Sequence, residues 1–453
     1  MDHFDPVKFL DAHEIENQIV SVHMNHEKSI FHEGRWPSET SEPPFEFSGK
    51  VPWCQDSYYL PERPSFTMDP FFHAGLYYVQ EASGMFLAFA LKQICDLNKK
   101  IRVLDLCAAP GGKSTLIQSN ISPDSLLVSN EVIKTRVSVL TQNLTKWGCA
   151  NGIVSNNDPS HFKKIPGFFD VILIDAPCSG SGLFRKDPET IKEWSSDLVN
   201  LCQLRQQRIV ADVWDSLKDD GFLIYSTCSY SKEENEDILD SIFHQFKCIT
   251  VPLSPQSGWN IVETYSDKYS AQGYRFYPDK LPGEGFFLSV IQKQEHPASF
   301  NSHKTNRIPG KFSKSMEMQF SKWIDEKSLD YISIGESIHA FPASLVNELN
   351  TLKNNLYLKK AGIRVGKSGE KEWIPDHELA LANFLKHNSE CMDVSKMDAL
   401  LFLRGQPFET DCREKGWKIV SYQKQHLGWI KLLEKRMNNY YPKSWRIRQQ
   451  DIF

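Results

Sequence analysis

The residues best suited to chemistry are two cysteines, each at the end of an apolar run. Phe169-Asp-Val-Ile-Leu-Ile-Asp-Ala-Pro-Cys178 leads into Ser179-Gly-Ser-Gly182, and Phe222-Leu-Ile-Tyr-Ser-Thr-Cys228 again puts a cysteine after a strand-like stretch. Apolar runs without alternation read as strands buried on both faces, as in a parallel sheet. The break at Pro177 places Asp175 and Cys178 at the strand's carboxyl end, where open α/β sheets bind ligands. The glycines that follow let the backbone approach a substrate closely. One cysteine after a strand is commonplace; a second in the same setting makes a paired-thiol site. Such a pair suits covalent catalysis on a pyrimidine. A thiolate adding to C6 of cytosine turns the ring into an enamine, and C5 can then attack an activated methyl group. An acid at N3 assists the addition, and loss of the C5 proton with departure of the thiolate frees the product. The attacking thiol needs help to ionise, because a free cysteine near about pKa 8.5 is mostly protonated at neutral pH. Asp175 suits the N3 role, and Cys178 and Cys228 suit the thiol roles. Residue chemistry leaves open which cysteine attacks.

A second motif, Asp105-Leu-Cys-Ala-Ala-Pro-Gly-Gly-Lys-Ser114, follows one strand-like run and opens a helix. Its glycines let backbone N–H groups reach a bound molecule, and a helix N-terminus favours negative charge. A phosphate-binding loop needs glycine where Cys107 stands, and the Gly-x-Gly-x-x-Gly of dinucleotide sites is absent. S-adenosylmethionine remains: its carboxylate can sit on the amides of the turn formed by Cys107, Ala108, Ala109, Pro110, Gly111 and Gly112, and on Lys113. Glu131, ending the next strand, is placed to hold ribose hydroxyls. Asp158, after the third strand, can accept a hydrogen bond from an adenine amino group.

These motifs sit in an alternation of strand-like and helix-like runs. Strands are expected at Arg102–Leu106, Leu126–Asn130, Gly152–Ser155, Asp170–Asp175 and Gly221–Ser226, with Cys248–Leu253 and Phe286–Ile291 completing the sheet. Helices are expected at Lys113–Gln118, Thr135–Trp147, Ser196–Lys218 and Glu233–Phe246. This pattern predicts an α/β fold, a Rossmann-like, doubly wound, mostly parallel sheet. Upstream, Phe9, Leu10, Ile15, Ile19 and Val20 read as one amphipathic helix, Pro37–Pro44 as a loop, and Val51–Pro70 as irregular connector. From His73 the chain leads into an apolar helix reaching about Leu97, with Gln80, Ser83 and Gly84 able to face a ligand or simply to pack.

The chain has 453 residues, 40% hydrophobic and 24% charged, ordinary values for a globular protein of several domains. No signal peptide or membrane-spanning run is evident, and ten cysteines without Cys-x-x-Cys pairs argue against zinc and disulfides and for reduced thiols in a cytoplasm. The net charge of −5 divides unevenly: residues 301–453 carry 25 Lys and Arg against 18 Asp and Glu, leaving residues 1–300 with a net of −12. A basic final third fits an appended module for a polyanion. The expected organisation is an N-terminal RNA-binding or lead-in region of small α/β type over 1–70, a methyltransferase-type domain over 71–294, a linker over 295–314, and a C-terminal α+β region over 315–453, divisible near 385.

On Asp105–Ser114, Asp175–Gly182 and Tyr225-Ser-Thr-Cys-Ser229, with Arg275-Phe-Tyr-Pro278 and Gly283-Glu-Gly-Phe-Phe287, the chain resembles the Nop/Sun family of RNA 5-methylcytosine methyltransferases. It is most similar to the bacterial ribosomal-RNA enzymes of the Fmu type. The resemblance implies a class I methyltransferase domain, Cys228 as the nucleophile at C6, and Cys178 assisting release of the methylated base. It implies that Lys113, Glu131, Asp158 and Asp175 border the cofactor, that Arg136 is a structural or cofactor-shell residue, and that Asp175 reaches the cytosine. Arg185 and Pro188 fit the residues that follow the Pro-Cys pair, and Gln80 and Ser83 border the site. His23 stands where the family usually has arginine, and Gly84 where close relatives often have serine.

Trp373–Ala380, Leu403-Arg-Gly405 and Leu427–Lys431 resemble the PUA-like appendage of the Fmu-type enzymes. Tyr440-Tyr-Pro-Lys-Ser-Trp-Arg-Ile-Arg448 mixes cations with aromatics, a composition for phosphates and stacked bases. His377 reads as a packing residue. The expectation is an S-adenosylmethionine-dependent RNA cytosine-C5 methyltransferase acting on small-subunit (16S) ribosomal RNA, monomeric, without metal or membrane. The alternatives are the same chemistry on transfer RNA, or a non-catalytic RNA-binding assembly factor.

Overall fold

A computed structural model describes residues 5–14, 19–28, 45–294, 320, 323–324, 328–369, 372–385, 391–410, 412, 414–434 and 436–448. The expected linker and the Pro37–Pro44 loop lie outside the described residues. The N-terminal part forms a four-stranded sheet in the order β2-β3-β1-β4, from β1 (Val20–Met24), β2 (Gly49–Lys50), β3 (Ser57–Leu60) and β4 (Tyr77–Val79). The single amphipathic helix expected here is not formed. A short helix, Pro6–Asp11, is capped by the Asp5 carboxylate, and Val20 opens a strand. Every residue of β1 is buried, so the β-branched Val20 and Val22 serve a sheet between neighbours and not a helix face. The stretch read as irregular connector contains β3, paired antiparallel to β1.

The central sheet uses β5 (Arg102–Asp105), β6 (Leu126–Asn130), β7 (Gly152–Ser155), β8 (Phe169–Asp175), β9 (Leu217–Thr227), β10 (Cys248–Thr250), β11 (Val262–Tyr265), β12 (Gln272–Phe276) and β13 (Phe286–Lys293). Its order is β11-β12-β13-β9-β8-β5-β6-β7, with β10 on β13. The pairs β5/β6, β6/β7, β5/β8 and β8/β9 are parallel, while β13 runs antiparallel to β9. The parallel core follows the sequence reading; β11 and β12 were not foreseen, because β11 alternates between part-buried and exposed positions and β12 interrupts its aromatics with Gly273 and Arg275. The apolar helix expected from His73 begins only at Phe86 and ends at Ile94.

Why the core strands lack alternation is plain from their neighbours. On one face Leu104, Ile172, Ile174 and Leu223 pack against Val210, Val213, Ile238 and Leu239 of the helices Ser196–Val213 and Glu236–Gln245. On the other, Val103, Val171, Leu173 and Ile224 pack against Phe86, Leu87, Leu91, Leu116 and Ile117. Both faces are dry, so both must be apolar. Strand order reverses between β5 and β8, and the crevice opens where Asp105 and Asp175 end those strands.

The C-terminal region is more than an appendage. It holds the sheets β14-β15-β17-β18 (Leu329–Ile334, Ser337–Pro342, Ile363–Ser368, Trp373–Pro375) and β19-β20-β21-β22 (Cys391–Asp393, Gly416–Tyr422, Gln425–Leu432, Met437–Asn439), and β16 (Leu358–Ala361) pairs antiparallel with β7 at the edge of the central sheet. Phe341, Leu345, Leu349 and Leu352 join the same core as Ile172 and Trp214. Covering an edge strand removes a pairing hazard and buries apolar surface together. Leu349→Ala should therefore cost about 3 kcal/mol and shift the main unfolding transition in urea; a separate early transition would mean that the C-terminal part folds as an independent unit.

Candidate active site

The turn after β5 is built by three devices. Gly111 sits at φ +115°, a conformation other residues rarely adopt, and starts the helix Gly112–Asn120. Arg136 Nη2 donates to the Ala109 carbonyl at 2.6 Å and Asn143 Nδ2 to the Pro110 carbonyl at 2.9 Å, so the turn is fixed from outside. Ser114 Oγ donates to Asp105 Oδ2 at 2.7 Å from within.

A cavity of about 270 Å³ lies over this turn. Cys107, Ala108, Ala109, Pro110, Gly112, Lys113, Asp175 and Cys228 line it, with Gln80, Gly84, Asp105 and Phe286. Lys113 Nζ donates to Asp175 Oδ2 at 2.8 Å, and Ser226 Oγ donates to Asp175 Oδ1 at 2.9 Å. Burial opposes the Lys113 charge, but Asp175 overcomes it and holds the ammonium above its usual pKa. Cys178 Sγ lies 3.1 Å from Cys228 Sγ. The Cys178 thiol is raised well above the ordinary range, first by its hydrogen bond with Cys228 and then by burial. Burial also pushes Cys107 up, so it is an inert wall.

Other predicted residues stand further out. Glu131 ends β6 with its side chain buried, accepting from the Ile133 amide at 2.9 Å and facing Arg136 Nη1 at 3.5 Å. Asp158 caps the turn Pro159–Lys164 through Ser160 and faces Arg208 at 3.8 Å. Glu131, Arg136 and Asp158 are not on the cavity wall. Ser83 is buried and donates to the Glu284 carbonyl; Arg185 is buried against the Glu284 carboxylate. His23, in place of an arginine, is buried and stacks on Trp147, so it faces the interior. His377 packs between Tyr441 and Trp445 as expected of a core residue.

Sequence reasoning missed Glu234 and Asn235. Glu234 accepts from the Ser179 amide and hydroxyl at 2.8 and 2.6 Å and from Ser229 Oγ at 2.5 Å. Asn235 accepts from Thr227 Oγ1 at 2.6 Å and donates to the Ser229 carbonyl at 2.8 Å. Both lie in an acidic run opening a helix, where exposed carboxylates are routine, so nothing in the run marks them.

Asp105 is buried, and its Oδ1 has no partner among the described residues. Burial, only partly relieved by Ser114, pushes its carboxyl up to about 7. A carboxyl raised in the folded state binds its proton there while the unfolded chain has released it, so stability falls as pH rises from about 4 to about 7. Asp105→Asn should flatten that slope in urea melts at pH 5 and 7; an unchanged slope would mean that Asp105 is ionised throughout.

Three family models match consecutive parts of the chain. Residues 92–292 match 16S rRNA methyltransferase RsmB/F, residues 389–447 the PUA domain of methyltransferase RsmF, and residues 5–82 the N-terminal domain of 16S rRNA methyltransferase RsmF. The protein named ribosomal RNA small subunit methyltransferase F from Vibrio vulnificus strain YJ016 is 29% identical over 420 residues, 89% of this chain and 86% of that one. Its namesake from Citrobacter koseri is 28% identical over 414 residues, 87% and 84% of the two chains. The crystal structure of a methyltransferase homologue from Pyrococcus horikoshii is 30% identical with a TM-score of 0.53, covering 63% of this chain and 90% of that one. With its crevice at the β5/β8 switch, its paired thiols and family matches over residues 5–82, 92–292 and 389–447, the chain belongs to the RsmB/F family of methyltransferases.

Proposed function

We propose that this chain is an S-adenosylmethionine-dependent RNA cytosine-C5 methyltransferase that acts on small-subunit ribosomal RNA in the cytoplasm. The observation that carries the reading is the pair of thiols 3.1 Å apart, with Cys228 and Asp175 on the wall of one cavity. The residues present fit the cofactor. Asp105 Oδ1 and Gln80 Oε1 are buried acceptors without a partner among the described residues, on the wall where an ammonium group would satisfy them. Amides after Ala108 and the Lys113 ammonium suit a carboxylate; Glu131, at the end of β6 but off this cavity wall, is the residue the family resemblance assigns to the ribose hydroxyls. S-adenosylmethionine, when bound, supplies an electrophilic methyl group.

The protein's own residues do the rest. The Cys228 thiolate adds to C6, forming a C–S bond and placing an electron pair toward C5. Asp175, oriented by Lys113 and Ser226, faces the base edge and in its protonated form donates to N3 as C6 is attacked, taking that proton back when the thiolate leaves. After C5 is methylated, its proton leaves to a base, the C5–C6 double bond re-forms, and Cys228 departs as thiolate. Cys178, in contact with Cys228, assists that departure. The target base must leave its stack to reach the cavity, and affinity for RNA should fall steeply with salt as counterions are released. The relatives' printed names and the PUA match support ribosomal over transfer RNA.

Mapping 5-methylcytosine in RNA from cells with and without the protein should show loss of one or more small-subunit sites; loss only from transfer RNA would move the substrate, and no loss would overturn the activity. Cys228→Ala should abolish methyl transfer. Cys178→Ala should accumulate a covalent protein–RNA adduct visible on a denaturing gel, and absence of an adduct would reverse the assigned roles.

A further inference from the structure

A target nucleotide brings its phosphate to the mouth of the cavity, yet the part of the chain that forms the cavity is acidic: residues 1–300 carry a net of −12. The wall itself holds four carboxyl groups, Glu81, Asp105, Asp175 and Glu284, and two cations, Lys113 and Lys186. All but one of these are committed. Lys113 donates to Asp175 at 2.8 Å, and Glu284 is paired with Arg185. Glu81 accepts from the amides of Ser83 and Glu284, each at 2.8 Å, and of Gly84 at 2.9 Å. Asp105 takes the Ser114 hydroxyl on one oxygen and leaves the other for the cofactor's ammonium. Lys186 is exposed, and among the described residues it forms no hydrogen bond or ion pair. Burial raises the Glu284 carboxyl, and Arg185 opposes that more than Lys186 does, so Glu284 does not need this second cation.

The two adjacent basic residues divide the work. Arg185 is 2% exposed; its Nε reaches Glu284 at 3.1 Å, Nη2 donates to the Gly283 carbonyl at 2.8 Å and Nη1 to the Ala12 carbonyl at 3.1 Å. The Asp187 amide donates to the Leu183 carbonyl at 2.8 Å, which closes the turn around Lys186. Arg185 thus anchors the chain beside the mouth, and the closed turn presents the next side chain to whatever enters. We infer that Lys186 binds the phosphate of the target cytidine while its base is turned into the cavity. The assignment rests on the RNA-methyltransferase reading and adds to it the group that seats the nucleotide's backbone. A compact ammonium suits a phosphate as a point charge. Where every other charge on the wall is matched by a neighbour or reserved for the cofactor, this ammonium is the cation left for a polyanion, and Asp175 and Cys228 on the same wall await the base.

Binding and turnover on small-subunit RNA from cells lacking the protein read this contact. Lys186→Ala should raise KM for RNA about tenfold, the lower end for a hydrogen bond to a charged group, with KM for S-adenosylmethionine unchanged. The slope of log affinity against log salt should shrink by about 0.7, the increment for one single-strand phosphate. Lys186→Arg should recover both. Lys192→Ala, which removes an exposed cation further along the chain that already pairs with Glu189, should behave as wild type. A methylphosphonate linkage beside the mapped target removes the charge of that phosphate; on it the wild-type protein should fall to the level of Lys186→Ala, and the variant should lose almost nothing more. Unchanged KM and slope in Lys186→Ala, a raised KM for S-adenosylmethionine alone, an equal effect of Lys192→Ala, or fully additive losses from the variant and from linkages on both sides of the target would overturn the contact. Protein whose RNA binding shows the expected slopes but which transfers no methyl would sink the functional reading and leave a phosphate-binding lysine standing. Methylation by Lys186→Ala at the wild-type KM would do the reverse.

Discussion

The site depends on one register. β8 and β9 run parallel with Asp175 opposite Ser226, so the loops that leave them start at the same height. Three residues on from Asp175 and two on from Ser226, the chain reaches Cys178 and Cys228. Two backbone bonds complete the alignment, Ala176 N–H to the Ser226 carbonyl and Gly182 N–H to the Cys228 carbonyl, each 2.8 Å. A side chain at Gly182 would place its Cβ 2.4 Å from the Gly285 carbonyl and 2.7 Å from the Cys228 carbonyl, so the loops close only over glycine. A slip of one residue in the ladder would turn the two side-chain series to opposite faces. The dry packing on both sides of the sheet is what forbids that slip.

The same crevice concentrates groups that are costly to bury. Asp105 and Asp175 line its cavity, Glu234 is buried beneath the two cysteine loops, and the Glu236–Arg275 pair is buried on the helix and strand beyond them. Each is handled differently: Asp175 by Lys113 and Ser226, Glu234 by hydroxyls and amides, Glu236 by a guanidinium, and Asp105 by a single serine. The incompletely compensated one, Asp105, borders the cavity where a ligand can finish the job. Compensation of this kind keeps the site rigid before substrate arrives, because each carboxylate has already fixed its donors. Beyond the crevice, β16 covers the edge at β7, and Asn157 exchanges two hydrogen bonds with the Tyr357 backbone, so the C-terminal region braces the wall of the cofactor side.

The parallel core and the motif turns were legible in the sequence because strands buried on both faces have no other reading: Leu126–Asn130 and Gly152–Ser155 stand where the pattern puts them. The cysteines, Asp175 and the Asp105–Lys113 turn were legible because glycine, proline and strand ends punctuate them. What the sequence concealed was long-range. β11 alternates weakly, β12 interrupts its aromatics with Gly273 and Arg275, the N-terminal Val20–Met24 stretch is a strand only because Tyr58 and Tyr78 flank it, and β16 joins a strand just over two hundred residues upstream. Glu234 was concealed for a different reason. It stands in a run of acids that carries no mark of its own, and its partners include the Ser179 hydroxyl 55 residues away.

The most direct test of the central claim uses the chemistry itself. RNA carrying 5-fluorocytidine at the target presents a C5 substituent that cannot leave as a proton, so the enzyme should stall as a covalent complex after methyl transfer. Incubated with S-adenosylmethionine and digested, the complex should map to Cys228, with Cys178 unmodified. A stable adduct on Cys178, or no adduct from protein that methylates the unmodified RNA, would contradict the account.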